Sequence, residues 1–163
     1  MTDASSFAGR TALITGAASG IGAATAKWLD QHGIGKLILI DRDAAKLEAL
    51  GLSCETENLV ADVSDPEFWA KLEASDPKID MALINAGIAM GGPIAQQPFD
   101  EWRKLMSVNL DGAFLTLGVT LRTMAKHGGG AIVMTSSVTA VKALPGGGGY
   151  SVTKAGVAHL AKI

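Results

Sequence analysis

TALITGAASGIG, residues 11–22, passes from an apolar run through a glycine-rich turn into the start of a helix. The apolar run is typical of a short buried strand. The helical pattern that follows ends at Gly33, a common helix stop. Its predicted inner face consists of Ile21, Ala24, Trp28 and Leu29. The chain therefore begins with a strand, a tight turn and a helix.

Short apolar runs alternate with longer helical patterns along the rest of the chain. Runs that are apolar on both faces, each followed by a helix, predict a parallel sheet covered on both sides. With right-handed crossovers this is a doubly wound, Rossmann-type α/β fold, which we expect to form one domain over residues 1–163. Further helices are predicted after Asp43 as N-cap, from Pro66, in one or two segments over 97–130, and from about Tyr150. The later strands are predicted at 36–41, 58–62, 79–85 and 131–137.

The 163-residue chain is 48% apolar and 18% charged, with a net charge of −2 and a mean hydropathy of +0.27. This composition predicts a globular protein with many buried segments. No basic run stands out, which argues against nucleic acid or an anionic membrane surface as a partner. Cys54 is the only cysteine and the histidines lack metal-ligand spacing, so no disulfide or metal site is predicted. The first residues lack a signal-peptide layout and no run is long enough for a membrane span, which predicts a cytoplasmic protein.

The glycine turn has the features of a phosphate site. Such a site needs backbone N–H groups at a helix N-terminus, with no Cβ in the way. Gly16 would form the tight bend, Gly20 would admit a pyrophosphate, and Gly22 would let helix and strand pack closely. Glycines can also simply link a strand to a helix, but their position after the first strand predicts dinucleotide binding.

Asp41 ends the second predicted strand, where a carboxylate would accept hydrogen bonds from the adenosine ribose. The same carboxylate would repel a 2′-phosphate, which favours NAD over NADP as the cofactor. Arg42 would instead attract that phosphate, but the turn itself carries Ser19 and no basic residue. The alternative role for Asp41 is a helix cap, for which Asp43 is better placed.

Several motifs together resemble the short-chain dehydrogenase/reductase family, in its branch with TGxxxGxG and YxxxK motifs. TGAASGIG matches the first motif and YSVTK, residues 150–154, matches the second. INAG at 84–87 resembles the family's NNAG element, except that Ile84 replaces the first asparagine. The shorter elements that also correspond are ADV at 61–63, VNL at 108–110 and the serine pair at 136–137. The likeness covers the whole chain.

The resemblance implies an oxidoreductase that transfers a hydride between a nicotinamide cofactor and an alcohol or ketone. Tyr150 would be the general acid and base, with the Lys154 ammonium one helical turn away favouring its ionised form and also holding the nicotinamide ribose. Ser137 would hydrogen-bond the substrate oxygen, Ser136 would be structural, and Asn109 would anchor a water. The predicted catalytic residues are Asn109, Ser137, Tyr150 and Lys154. The predicted cofactor contacts are Gly16, Ser19, Gly20, Ile21, Gly22, Asp41, Arg42, Asp62, Val63, Asn85, Ala86, Gly87, Tyr150 and Lys154.

Two other functions stay open at this point. One is a non-catalytic fragment that binds a dinucleotide, because the family extends beyond the last predicted helix with two further strands and a substrate lid. The other is a 3-oxoacyl thioester reductase, which would fit better with NADP and with a basic residue at Ser19. The final helical pattern has no stop signal, so we expect the chain to be a piece of a longer protein.

The substrate pocket would be lined by residues 90–94 and 138–144 together with the lid. Its visible part is apolar and rich in glycine, which favours an uncharged alcohol or ketone. The glycines at 146–149 would let the backbone bend over the site without side-chain obstruction. Relatives are commonly dimers or tetramers, so the resemblance also implies a homo-oligomer.

Overall fold

Five parallel strands form one sheet in the computed structural model, which describes residues 7–163. The strands are β1 (Thr11–Thr15), β2 (Lys36–Asp41), β3 (Glu55–Val60), β4 (Met81–Ile84) and β5 (Ala131–Met134). The helices are α1 (Gly20–Gln31), α2 (Ala44–Glu48), α3 (Pro66–Ala74), α4 (Phe99–Leu105), α5 (Gly112–Lys126) and α6 (Gly148–Leu160). A π-helical turn, Met106–Asp111, joins α4 to α5, and short 3₁₀ turns lie at Ile94–Gln96 and Val138–Ala140. Within residues 7–163, no helix is both long and apolar enough to cross a membrane.

The strand order is β3-β2-β1-β4-β5, and every neighbouring pair is parallel. The chain moves outward from β1 through β2 and β3, and then continues on the other side of β1 through β4 and β5. This order confirms the predicted doubly wound, Rossmann-type fold. The winding reverses between β1 and β4, and the crevice at the carboxyl ends of such strands is the usual ligand site of this architecture.

Side chains that alternate along the central strands fill a separate core on each face of the sheet. On one face, Ile14 of β1 packs in a cluster with Leu29 of α1. On the other, Leu13 packs in a cluster with Trp69 of α3 and Val119 of α5. Full burial of a leucine or isoleucine contributes about 1.5–3 kcal/mol, so these two layers hold helices against both faces of the sheet.

The inner face of α1 differs from the prediction. Gly22, Ala26 and Leu29 are buried, whereas Ile21 is 60% and Trp28 43% exposed. Small residues at 22 and 26 let the helix approach the sheet closely. Rotating the helix to bury them turns the larger Ile21 and Trp28 outward.

The strands β3, β4 and β5 and the long helical segment begin or end at other residues than the sequence predicted. β3 begins three residues earlier, because its polar residues Glu55 and Glu57 form ion pairs with Lys36 of β2 instead of entering the core. β4 is shorter at both ends, and β5 ends at Met134, so that residues 135–137 belong to the next loop. The segment predicted over 97–130 is two helices, because the π-helical turn interrupts it.

Candidate active site

A cleft of about 470 Å³ lies at the carboxyl ends of the strands, where the winding reverses. It extends from the end of β2 across β1 to the segment that follows β4. The residues that line it are Gly16, Ser19, Gly20, Ile21, Ile40, Asp41, Arg42, Ala61, Asp62, Val63, Asn85, Ala86, Gly87, Ile88 and Val108. Eleven of the predicted cofactor contacts are therefore brought together in one cleft.

The turn between β1 and α1 forms one wall of this cleft. Gly16 has a φ of +66°, which favours glycine, and a Cβ there would lie 2.9 Å from the Ala86 Cα. Gly22 lies beneath the turn, and a Cβ on it would overlap the carbonyl oxygen of Gly16. Among the described residues, no side chain caps α1, not even Ser19 at its N-cap position. The positive end of α1 thus meets the cleft with its first-turn N–H groups uncapped, an arrangement that suits a phosphate.

Thr15 connects this turn to the segment after β4. Its buried hydroxyl oxygen accepts hydrogen bonds from the backbone N–H groups of Asn85, at 3.0 Å, and Ala86, at 3.1 Å. The Asn85 side chain in turn accepts a hydrogen bond from the Thr135 hydroxyl at 3.0 Å. The sequence analysis placed Thr15 at the end of the strand and at the start of the TGAASGIG motif, but assigned its hydroxyl no role.

The end of β2 carries the carboxylate predicted to meet the ribose. Asp41 accepts hydrogen bonds from the backbone N–H groups of Ala18, at 3.0 Å, and Asp43, at 3.1 Å. These bonds fix the carboxylate at the edge of the cleft. Asp43 is the residue that caps α2, through the N–H of Lys46, so the cap is where the sequence placed it.

Asp62 and Arg42 line the cleft after β3 and β2 and form an ion pair, with 3.7 Å between Arg42 Nη1 and Asp62 Oδ2. Partial burial acts to raise the pKa of the Asp62 carboxyl. Two hydrogen bonds from Ser64 and the charge of Arg42 outweigh that effect, so the pKa of Asp62 lies below its ordinary value. Asp62 therefore lines the cleft as an ionised carboxylate that Ser64 holds in place.

The tyrosine and lysine of the YSVTK motif lie on one side of α6. Lys154 is only 5% exposed, and its Nζ lies 5.9 Å from the centroid of the Tyr150 ring. The same Nζ donates a hydrogen bond of 2.8 Å to the carbonyl oxygen of Thr135. Burial lowers the pKa of Lys154 below its ordinary value.

Asn109 lies within the π-helical turn and is 1% exposed. Its Oδ1 accepts from the N–H of Ile88 at 2.8 Å, and its Nδ2 donates to the Ile88 carbonyl at 2.9 Å. The same Nδ2 donates to the hydroxyl of Thr153 on α6 at 3.1 Å. A Cβ built on Gly87, which lines the cleft, would lie 3.3 Å from Asn109 Oδ1 and 3.4 Å from Lys154 Nζ. Asn109 and Lys154 thus stand directly behind the end wall of the cleft.

The two serines after β5 have different partners. Ser136 donates to the carbonyl oxygen of Lys154 at 2.8 Å, which ties the loop to α6. Ser137 accepts two hydrogen bonds from Thr139, one from its N–H at 3.2 Å and one from its hydroxyl at 3.0 Å. A hydroxyl has two acceptor sites and one donor, so these bonds leave the Ser137 O–H as a donor for another group.

The glycine turn therefore lies at a topological switch point, and the cleft beside it ends near the helix that carries Tyr150 and Lys154. The family model for short chain dehydrogenases matches residues 10–163. The chain belongs to this family.

Levodione reductase of Leifsonia aquatica is 36% identical over 96% of this chain. A 3-oxoacyl-[acyl-carrier-protein] reductase of Thermotoga maritima is 33% identical over 94% of it. The crystal structure of an NAD⁺-bound xylitol dehydrogenase superposes with a TM-score of 0.89, at 30% identity, over 95% of this chain and 63% of its own. The chain spans 62% of the levodione reductase and 66% of the Thermotoga enzyme, so it covers less than two thirds of these relatives.

Proposed function

We propose that the protein containing this chain is an oxidoreductase that transfers a hydride between a nicotinamide dinucleotide and an uncharged alcohol or ketone. The observation that carries this proposal is the position of the Tyr–Lys pair. Lys154 lies directly behind Gly87 in the cleft wall and beside the ring of Tyr150. Through Lys154, a residue pair suited to proton transfer therefore adjoins the site that suits the cofactor.

The residues of the cleft fit a dinucleotide. The uncapped positive end of α1 and the bare Gly16 and Gly20 suit the pyrophosphate, and Asp41 suits the adenosine ribose. Asp62 and the backbone of Val63 would meet the adenine, and Asn85 to Gly87 would lie along the nicotinamide half. When bound, the cofactor would supply the hydride acceptor or donor at its nicotinamide ring.

Tyr150 would remove the proton of an alcohol, or return one to a carbonyl oxygen, as a general base or acid. The Lys154 ammonium beside the ring attracts the negative charge that develops on the phenol oxygen when its proton leaves. Two of the three Lys154 donors remain after the bond to Thr135, and they are available to a cofactor ribose. The free O–H of Ser137 would hold the substrate oxygen, and a water on Asn109 stays a prediction of the family resemblance.

NAD is proposed over NADP as the preferred cofactor. The fixed Asp41 carboxylate would repel a 2′-phosphate, and Ser19 offers that phosphate no positive charge. Arg42, the nearest cation to Asp41 along the chain, is already paired with Asp62. The same features speak against the alternative of a 3-oxoacyl thioester reductase that uses NADP. A 3-oxoacyl-[acyl-carrier-protein] reductase is nevertheless among the relatives.

The test uses the intact protein and its Tyr150→Phe variant, with a panel of uncharged secondary alcohols and ketones. Titration with NADH and NADPH should show tighter binding of NADH, and the absorbance of the reduced cofactor should report turnover. General acid–base catalysis contributes about 10²–10⁴-fold, so we expect kcat to fall by that range in Tyr150→Phe while NADH affinity is kept. Turnover retained in the variant would overturn the role of Tyr150, and binding without turnover in both proteins would favour the non-catalytic alternative.

A further inference from the structure

A glutamine far from the motif residues contacts the backbone immediately before Tyr150. Gln97 lies just after the 3₁₀ turn Ile94–Gln96, and its Oε1 accepts a hydrogen bond of 2.8 Å from the N–H of Gly149. Gly149 is a residue of the first turn of α6, whose N–H groups have no partner within the helix. Gln97 therefore caps the helix that carries Tyr150 and Lys154 from 52 positions away in sequence.

The cap comes from outside α6 because the helix has none of its own. Gly147 occupies the N-cap position and offers no side-chain oxygen. A backbone bond of 2.8 Å from the N–H of Gly92 to the carbonyl of Gly146 holds the two segments together beside the cap. The start of α6 is thus held by the segment 91–97.

The glycine run fits this contact closely. Gly148 has a φ of +45°, and a Cβ on it would lie 2.9 Å from Gln97 Oε1 and 3.0 Å from the Gly92 carbonyl oxygen. A Cβ on Gly149 would lie 2.8 Å from Cε3 of Trp102 on α4. Any larger residue at these positions would separate α6 from its cap. The glycines therefore bring α6 against Gln97 and Trp102, a packing role that their sequence interpretation as a free bend did not include.

We propose that Gln97 is a positioning residue, which sets the start of α6 and thereby the place of the Tyr150 ring beside Lys154. Its Nε2 is buried without a partner among the described residues, and an unpaired buried donor costs free energy. That cost argues against a purely stabilising role, for which an acid at this position would serve better. A glutamate would keep the acceptor, remove the unpaired donor and place a negative charge at the positive end of α6.

The experiment compares Gln97→Leu, which removes the acceptor, with Gln97→Glu, which keeps it, and with Gln96→Leu as the neighbouring exposed control. Loss of one hydrogen bond that positions the base should lower kcat about tenfold or less. We expect this fall in Gln97→Leu with unchanged NADH affinity, near-normal kcat in Gln97→Glu, and no change in the control. Equal kcat in the two Gln97 variants, or a loss of NADH affinity that matches the loss of kcat, would overturn the proposal.

The positioning role rests on the proposed function. A second measurement therefore tests the hydrogen bond between Gln97 and Gly149 by a method that does not depend on enzyme turnover. Amide hydrogen exchange at Gly149 should be slow in the wild type and in Gln97→Glu and faster in Gln97→Leu. If Gln97→Leu does not fold, Gln97→Asn, whose shorter side chain cannot reach, takes its place. Unchanged exchange at Gly149 would refute the cap itself, whereas turnover in Tyr150→Phe would refute the catalytic role and leave the cap intact.

Discussion

Replacing Gly22 by alanine tests how closely α1 packs against the glycine turn. A Cβ at this position would overlap the carbonyl oxygen of Gly16 and lie 2.8 Å from its carbonyl carbon, where ordinary contact begins at 3.4 Å. Both atoms belong to backbone, so a side-chain rotation cannot relieve the overlap. Either the turn or the helix must move by more than half an ångström.

The expected cost follows from overpacking, which typically destabilises by about 1–3 kcal/mol. Because the overlap is with backbone atoms, the cost should lie in the upper part of this range, about 2–3 kcal/mol. Alanine regains about 1 kcal/mol of helix propensity over glycine, which leaves a net loss of about 1–2 kcal/mol. For a domain of this size each kcal/mol lowers Tm by about 2–4 °C. The same displacement would move the turn that suits the pyrophosphate, so NADH affinity should fall as well.

Gly118→Ala is the matched control, because it is the same substitution inside a helix. Its Cβ would meet only the end of the exposed Arg122 side chain, at 3.2 Å from Nη1, a nitrogen other than the two that bond to Glu73. We expect this variant to gain up to about 1 kcal/mol. Urea unfolding followed by tryptophan fluorescence, to which the buried Trp69 contributes, would measure the stability of both variants. A Gly22→Ala protein as stable as the control would refute the packing argument.

Two further predictions concern the side chains around the proposed catalytic centre. Burial lowers the pKa of Lys154 in the folded protein below its ordinary 10.5. Below this lowered pKa the buried side chain is charged, and its burial costs stability. As pH rises toward 10.5 the folded protein loses this charge and the cost disappears. The stability of the wild type relative to Lys154→Met should therefore rise across that alkaline window in urea unfolding, and a constant difference would contradict it. Thr139→Val removes the hydroxyl that donates to Ser137, a bond worth about 0.5–1.5 kcal/mol, so kcat should fall about two- to tenfold. Thr139→Ser should keep kcat, and equal rates in the two variants would count against the positioning of Ser137.

The fold was predictable because its decisive signals are local. The runs at β1 and β2 are apolar on both faces, and such runs can be buried only in a sheet covered on both sides. β3 was located too late in the sequence because Glu55 and Glu57 stabilise it through Lys36 and not through apolar burial. An edge strand that is stabilised by ion pairs has few apolar residues, so a hydrophobic pattern does not reveal where it begins.

The sequence motifs located most of the residues that line the cleft. They did not indicate residues whose place depends on a tertiary contact. Thr15 and Gln97 act through single oxygen atoms on backbone N–H groups that are 70 and 52 positions away. Nothing in their neighbouring residues indicates those partners. The buried face of α1 was misjudged for a related reason, since close approach to the sheet favours Gly22 and Ala26 over the larger Ile21 and Trp28.

The uncapped start of α1 also has an evolutionary consequence. Backbone N–H groups are the same whichever side chains surround them, so the proposed phosphate site of the turn does not depend on the side chains of Ser19 or Ile21. Both side chains are exposed in the cleft, and Ser19 makes no capping bond. Selection can therefore vary these two positions at little structural cost, and a change of cofactor preference could begin there while the fold stays as it is.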